Sequence, residues 1–172
     1  MDSKQIALLA YLTEHQIAYE LFRHEPLFTC EQAVACMARL NMPGVGVRNL
    51  FLKDDKKKLY LIVAADGARI DLKQVGKTIG TKGLRFADAQ LMLQYLDVTP
   101  GSVTPLALMH DTEKVVQPLI DASLFTHQYI QIHPLKNDAT LVIASADLLK
   151  FLAMHARTYC IYDFEHHCIV QK

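Results

Sequence analysis

The stretch that decides the fold is Val47-Arg48-Asn49-Leu50-Phe51-Leu52-Lys53-Asp54-Asp55-Lys56-Lys57-Lys58-Leu59-Tyr60-Leu61-Ile62-Val63-Ala64-Ala65. Two apolar runs of strand type flank a charged tip, Asp54 to Lys58, and the whole reads as a β-hairpin. A turn this short can join only antiparallel strands, because a parallel pair needs a long crossover. Working outward, Ala18 to Arg23 and Leu84 to Phe86 read as further strands. So do Leu106 to Met109, Val115 to Ile120, Tyr129 to His133 and Ala139 to Ala144. Short turns rather than helices join the later ones, which argues against a doubly wound parallel sheet. Helices are expected from a Ser3 cap to about Gln16, from the capping box Thr29-Cys30-Glu31-Gln32 to about Leu40, and from Asp71 to Ile79 with Gly80 closing. Two more run from Asp88 to Leu96 and from a Ser145 cap to about His155. The expected class is α+β: a curled, barrel-like, mostly antiparallel sheet flanked by helices.

At 172 residues the chain reads as one domain over 1–172, large enough to bury a core without disulfide or metal support. The hydrophobic fraction of 51% is spread over short runs, and none approaches the roughly 18 to 20 residues of a membrane span. The opening Met1-Asp2-Ser3-Lys4-Gln5 lacks the basic and apolar regions of a signal peptide. Cys30, Cys36, Cys160 and Cys168 show no CxxC spacing, as suits free thiols in a reducing compartment. The expectation is a soluble cytoplasmic protein with no membrane partner. Net charge is zero, yet from Arg48 to Arg85 ten Lys and Arg face four Asp, a local +6 balanced by −6 elsewhere. Such asymmetry is either the footprint of a polyanion partner or a solvated hairpin tip and helix face.

Several chemistries are excluded by pattern. The chain has no GxSxG or HExxH, and no GxGxxG or GxxxxGK[ST], so no common hydrolase elbow, zinc helix, dinucleotide or NTP site is expected. Cys30, in a helix's first turn, reads as packing more readily than as a nucleophile. The tail residues Cys160, His166, His167 and Cys168 have the types of zinc ligands, but their spacing matches no closed site. Two segments remain. Thr99-Pro100-Gly101-Ser102-Val103-Thr104-Pro105 holds two prolines, one glycine and three hydroxyl residues, more than an ordinary turn needs. A glycine-led loop exposes backbone N–H groups that can hold a carbonyl oxygen as charge develops on it. His133-Pro134-Leu135-Lys136-Asn137-Asp138-Ala139-Thr140 turns between two strands, and His133 and Asn137 are expected to face a pocket walled by that loop.

Together with Arg48-Asn49-Leu50-Phe51-Leu52-Lys53-Asp54, these segments resemble the three signatures of the YbaK/prolyl-tRNA synthetase-associated domain family, and within it the free-standing prolyl-tRNA editing proteins. The resemblance runs from about Gln5 to Met154 and leaves 155–172 as a tail. It implies hydrolysis, without metal, cofactor or protein nucleophile, of the ester joining a wrong amino acid to tRNA, typically alanine on the tRNA for proline. The family's GxxxP loop falls on Gly101 and Pro105, its histidine on His133 and its asparagine on Asn49. Where the family usually has lysine this chain has Arg48, which can grip an oxygen but cannot transfer a proton near neutral pH. The implied site is therefore Arg48, Asn49, the Gly101 and Ser102 amides and His133, with Val103, Thr104, Pro105, Asn137 and Lys53 lining the substrate. The implied partner is the aminoacylated end of a tRNA, with transient contact to a synthetase allowed. The alternative is a tRNA-binding or regulatory module of the same fold that has lost turnover.

Overall fold

The hairpin forms where the sequence places it. In the computed structural model, which describes residues 1–27 and 30–171, β2 (Val45–Lys53) pairs antiparallel with β3 (Leu59–Ala65). Its tip is held by Asp54, whose carboxylate is 1% exposed. That carboxylate accepts from the amides of Lys56 and Lys58, both at 2.8 Å, from the Tyr60 hydroxyl at 3.2 Å and from Thr81 Oγ1. Burial alone would raise its pKa, but the hydrogen bonds from Thr81, the two amides and Tyr60 outweigh burial and hold it below the ordinary carboxylate value. A charged tip is thereby fixed rather than merely solvated.

Around this pair the sheet grows in both directions, in the order β1 (Tyr19–Arg23), β7 (Ala139–Ala144), β6 (Tyr129–Ile132), β2, β3, β5 (Val116–Asp121), β8 (Cys160–Asp163), β9 (Cys168–Gln171). The two-residue β4 (Arg85–Phe86) also pairs with β2. The path is open, with β1 and β9 at its ends. Antiparallel ladders predominate, as expected, but β2 with β6, β3 with β5, and β5 with β8 are parallel. Strands β8 and β9 lie in the expected tail, so the tail completes one side of the sheet.

Among the described residues five α-helices flank it: α1 (Ser3–Glu14), α2 (Cys30–Leu40), α3 (Leu72–Ile79), α4 (Ala89–Leu91, running on as a π-helical turn Met92–Leu96) and α5 (Ser145–His155). Asp71 caps α3 through Lys73 N and Gln74 N, and Gly80 ends it in the left-handed conformation at φ 77°, both as read. Asp88 caps α4 through Leu91 N. Three local expectations are corrected. The cap of α1 is Asp2, not Ser3, in a reciprocal box with Gln5. Ser145 does not cap α5: its hydroxyl donates instead to the His127 carbonyl at 2.7 Å. The apolar run after the prolines is not a strand but a 3-10 helix, Pro105–His110, capped by the Thr104 hydroxyl. The expected capping box at Thr29 falls partly outside the described residues.

Alternation along the strands sorts the core into two faces. On one, Val47, Phe51, Leu61, Val63, Ile130, Ile132, Leu141 and Ile143 pack with Leu8 and Leu12 of α1, Leu148 and Phe151 of α5, and Leu106 to Leu108. On the other, Leu50, Leu52, Tyr60, Ile62 and Ala64 pack under α3 through Val75, while Val142 packs under α2 with Cys36, Met37 and Met42. A strip of sheet is left between α2 and α3, and β2 crosses it.

Candidate active site

Directly opposed residues of a hairpin share a face. Arg48 stands opposite Ala64 and Asn49 opposite Val63, so neighbours in sequence point to opposite sides. Arg48 is exposed on the strip between α2 and α3 and donates from Nη2 to the carbonyl of Ala68. Two residues earlier on β2, Gly46 faces the same way. Its missing Cβ leaves room for the Asp66 carboxylate and the Met37 methyl, both of which a side chain there would strike. The Asp66 amide donates to the Gly46 carbonyl at 2.9 Å. The turn Asp66-Gly67-Ala68 thus lies across β2, its carboxylate over Gly46 and its last carbonyl on Arg48.

His133 joins this group from the neighbouring strand. Gly46 pairs with Gln131 in the parallel β2–β6 ladder, and Ile130 and Ile132 face the other core. Gln131 turns to the strip and donates to the carbonyls of Met42, Pro43 and Gly44. Two residues on, His133 is half-buried, and its Nδ1 is enclosed with no hydrogen-bond partner among the described residues. Burial pushes its pKa below the ordinary imidazole value and His24 adds to this, while the Ala139 backbone and the charges of Asp66 and Asp138 work the other way. At neutral pH it is an uncharged imidazole with an unused nitrogen.

The loop occupies the opposite face. Gly101 holds φ 86°, which favours glycine, and the Ser102 amide closes a turn on the Thr99 carbonyl at 3.0 Å. Thr104 is fully buried and its Oγ1 accepts from Leu106 N. Pro105 opens the 3-10 helix, where its missing N–H costs nothing. Val103 packs on the core cluster that contains Val47 and Val63, the side to which Asn49 points. Asn49 Oδ1 is buried with no partner among the described residues.

Two expected lining residues have other attachments. Asn137 donates from Nδ2 to the Leu27 carbonyl at 3.0 Å and accepts from the Leu27 amide at 3.3 Å, clasping the segment after β1. Lys53 reaches Asp88 at 2.7 Å. The structure therefore brings Arg48 and His133 to one face and Asn49 and Val103 to the other, with Lys53 and Asn137 engaged at separate points. It adds Gly46 and Asp66, which the sequence reading missed. The one available signal was a glycine two residues before Arg48 on a strand, where a close approach is the usual reason for it.

The basic segment is now resolved into paired and unpaired cations. Lys53 is bound to Asp88, and Arg85 to Asp55 at 2.8 Å. Lys56, Lys57 and Lys58 at the hairpin tip, Lys73 and Lys77 on α3, and Lys82 in the loop after it have no ion pair among the described residues. The last three line a concavity of about 1050 Å³ between α3 and the Gly80 to Leu84 loop. Neither Arg48 nor His133 lines this concavity, which starts at Asp71, the cap of α3. In the tail, His166 Nδ1 meets Asp163 at 2.9 Å, and that hydrogen bond and charge raise its pKa.

Comparison with known proteins bears on the family and the fold. Residues 24–151 match the family model of the aminoacyl-tRNA editing domain. Prolyl-tRNA editing protein ProX of Acetoanaerobium sticklandii is 35% identical over 162 residues, covering 92% of this chain and 96% of its own. Prolyl-tRNA synthetase associated domain-containing protein 1 of Danio rerio is 36% identical over 157 residues, covering 90% and 84%. A crystal structure described as a candidate trans-editing enzyme for prolyl tRNA synthetase superposes with a TM-score of 0.71 at 17% identity, over 95% of this chain and 97% of that one. The crystal structure of hypothetical protein APE2540 gives 0.70 at 16%, over 92% and 97%. At those identities the two structures speak for the fold alone. Among the described residues no helix is long and apolar enough to cross a membrane.

Proposed function

This chain belongs to the aminoacyl-tRNA editing domain family, and from that premise we propose that it is a prolyl-tRNA editing enzyme acting in trans, with alanine on the tRNA for proline as its main substrate. The observation that carries the reading is the exposed Arg48 guanidinium set on one sheet face with His133, an uncharged imidazole whose Nδ1 has no partner among the described residues, inside the matched segment. Water attacks the ester carbonyl, the carbonyl oxygen becomes an oxyanion, and collapse expels the ribose oxygen, which takes up a proton. Free amino acid and tRNA result.

Arg48 stays protonated throughout, so its role is to hold an oxygen of the ester or of the terminal phosphate. His133, neutral at working pH and with its Nδ1 enclosed, shapes the pocket beside Arg48. In this reading the Gly101 loop and Asn49, on the other face of β2 and with Ser102 N already bonded to Thr99, hold the sheet in position and do not touch the same ester. The unpaired lysines of the hairpin tip and α3 meet the acceptor-stem phosphates. The experiment is a panel of mischarged tRNAs given to the purified protein. Alanine should be released from the tRNA for proline well above the spontaneous rate while correctly charged prolyl-tRNA is spared. Release from none of the panel would overturn the assignment.

A further inference from the structure

The Arg48 face holds one charge that the reading above leaves idle. Asp66 is exposed and has no ion pair among the described residues, although Arg48 emanates from the same face of β2 only two residues beyond Gly46, over which the Asp66 carboxylate lies. Two residues of strand span about 7 Å, a distance a flexible arginine could close. Instead the guanidinium is given to the neutral carbonyl of Ala68, in the same turn as Asp66. The turn thus keeps a cation and an anion apart on one open surface. His133, whose ring feels the Asp66 charge, lies beside them and has an enclosed nitrogen without a partner.

A site with separated opposite charges fits a ligand that carries the complementary pair. The end of an aminoacyl-tRNA is such a ligand. Its amino acid bears a free α-amino group, largely protonated near neutral pH, one bond from the carbon that carries the ester carbonyl, and the terminal phosphate lies across the ribose. With an ester or phosphate oxygen on Arg48, a cation at the α position falls on the side where Asp66 stands.

We propose that the Asp66 carboxylate binds the free α-ammonium group of the aminoacyl ester, so that the site distinguishes an unblocked aminoacyl end from an N-acylated one. Gly46 is part of this device, because only a residue without a Cβ lets the carboxylate lie against β2. Asp66 takes no part in bond breaking and acts through placement of the substrate. The inference rests on the aminoacyl-tRNA reading of the site and assigns a recognition role that hydrolysis alone does not need.

The test crosses two substrates with three proteins. Alanyl-tRNA for proline and its N-acetylated form are given to the wild type, to Asp66→Asn and to Gly46→Ala, and hydrolysis is followed. In parallel, binding of 3′-alanylamino-3′-deoxyadenosine, whose amide resists hydrolysis, is compared with that of its N-acetyl derivative. A charge-assisted hydrogen bond gives an expected loss of about 10- to 100-fold on the free-amine substrate in either variant. On the N-acetylated substrate the three proteins should converge on one low rate. Equal losses on both substrates, or no loss on either, would overturn the proposal. If the wild type hydrolyses nothing yet binds the free-amine analogue over the N-acetyl one through Asp66, the recognition role stands and the deacylase reading falls. If it neither hydrolyses nor discriminates in binding, both fall.

Discussion

The two sides of β2 carry motif residues one position apart in sequence, and they differ in what those residues are bonded to. On the side of Arg48, polar groups are left with capacity to spare. The guanidinium touches one carbonyl, the Asp66 carboxylate is unpaired among the described residues, and His133 has an unpartnered nitrogen. On the side of the Gly101 loop, most polar groups are consumed in holding the loop itself: Ser102 N on Thr99, Thr104 Oγ1 on Leu106 N, and Val103 in the core. A face that keeps its hydrogen-bonding capacity open is built for a ligand, and one that closes it is built for position. Asn49 is the exception on the second side, half-buried with an enclosed Oδ1 that has no partner among the described residues.

The sharpest way to break this contrast is Gly101→Ala. A Cβ there would meet nothing within 4 Å, so only the left-handed backbone at φ 86° objects, at about 1 to 2 kcal/mol. If the loop's amides hold the oxyanion, deacylation should fall by ~10²- to 10³-fold while Tm moves by only a few degrees. A loss below threefold would make the loop a structural support and confine the chemistry to the Arg48 face.

Arg48→Ala comes next. It removes a charged donor whose hydrogen bonds are worth roughly 1.5 to 3 kcal/mol each, and the expected loss is about one to two decades in kcat/KM. Arg48→Lys keeps the charge but not the planar fork. Higher activity on alanyl-tRNA for proline would mark Arg48 as an attenuated form of the family's lysine, and lower activity would mark it as tuned for this chain's substrate. If neither variant alters hydrolysis of any aminoacyl-tRNA, the open face is not the site.

A smaller effect should come from the hairpin tip. Reversing Lys56, Lys57 and Lys58 to Glu should weaken tRNA binding about tenfold and flatten its dependence on salt, while an aminoacyl-adenosine fragment is hydrolysed as before. Equal binding of whole tRNA at low and high salt by wild type and variant would reduce the charge asymmetry to a solvated tip.

What the sequence made legible follows from range. The hairpin, the Asp71 and Gly80 boundaries of α3 and the Asp88 cap all depend on residues within a few positions of one another, and each forms as read. The strand expected near Leu106 to Met109 is part of a 3-10 helix because a short, largely buried apolar run carries no period that separates strand from helix. Proline at its first position with a threonine before it was the stronger signal. The parallel ladders joining β2 to β6 and β3 to β5 link segments tens of residues apart, and nothing local announces them. The site divides in the same way. In the proposed site Arg48 and His133 are singled out by motif, whereas Asp66 owes its place over Gly46 to a turn that only the folded sheet brings back across β2.

Acidification should separate the enclosed histidines from the surface ones. Burial lowers the pKa of His110, His133 and His155, so each binds its proton more readily in the unfolded chain. Stability from these groups is complete above about 6.5 and is lost as pH falls below it. The raised pKa of His166 has the opposite sign: its contribution is present below about 6.5 and lost as pH rises through the folded value, and its exposure weakens it. Tm should therefore fall by a few degrees between pH 7 and 5, above the range in which carboxylates ordinarily protonate. His133→Gln should flatten that decline and His166→Gln should not. A Tm that is constant over this range would mean that these three imidazoles are solvated, His133 beside Arg48 as much as His110 and His155 on the other side.

The smallest expected effect concerns the exception. Asn49 Oδ1 is buried against the larger core without a partner among the described residues, and a buried, unsatisfied acceptor is a cost that an apolar group of like shape does not carry. Leucine has the same branched outline at Cγ and the apolar company of Val47, Phe51 and Val63 on that face. Asn49→Leu should raise stability by up to about 1 kcal/mol, read as a higher denaturant midpoint at unchanged m-value. If Asn49 also orients the substrate, the same variant should lose activity as it gains stability, because residues kept for a ligand are often unfavourable in its absence. A gain in stability with full activity would place Asn49 outside the site and leave Arg48 and His133 alone on the working face. Lower stability would show that its amide is bonded after all, through groups that make the second face a closed structural unit throughout.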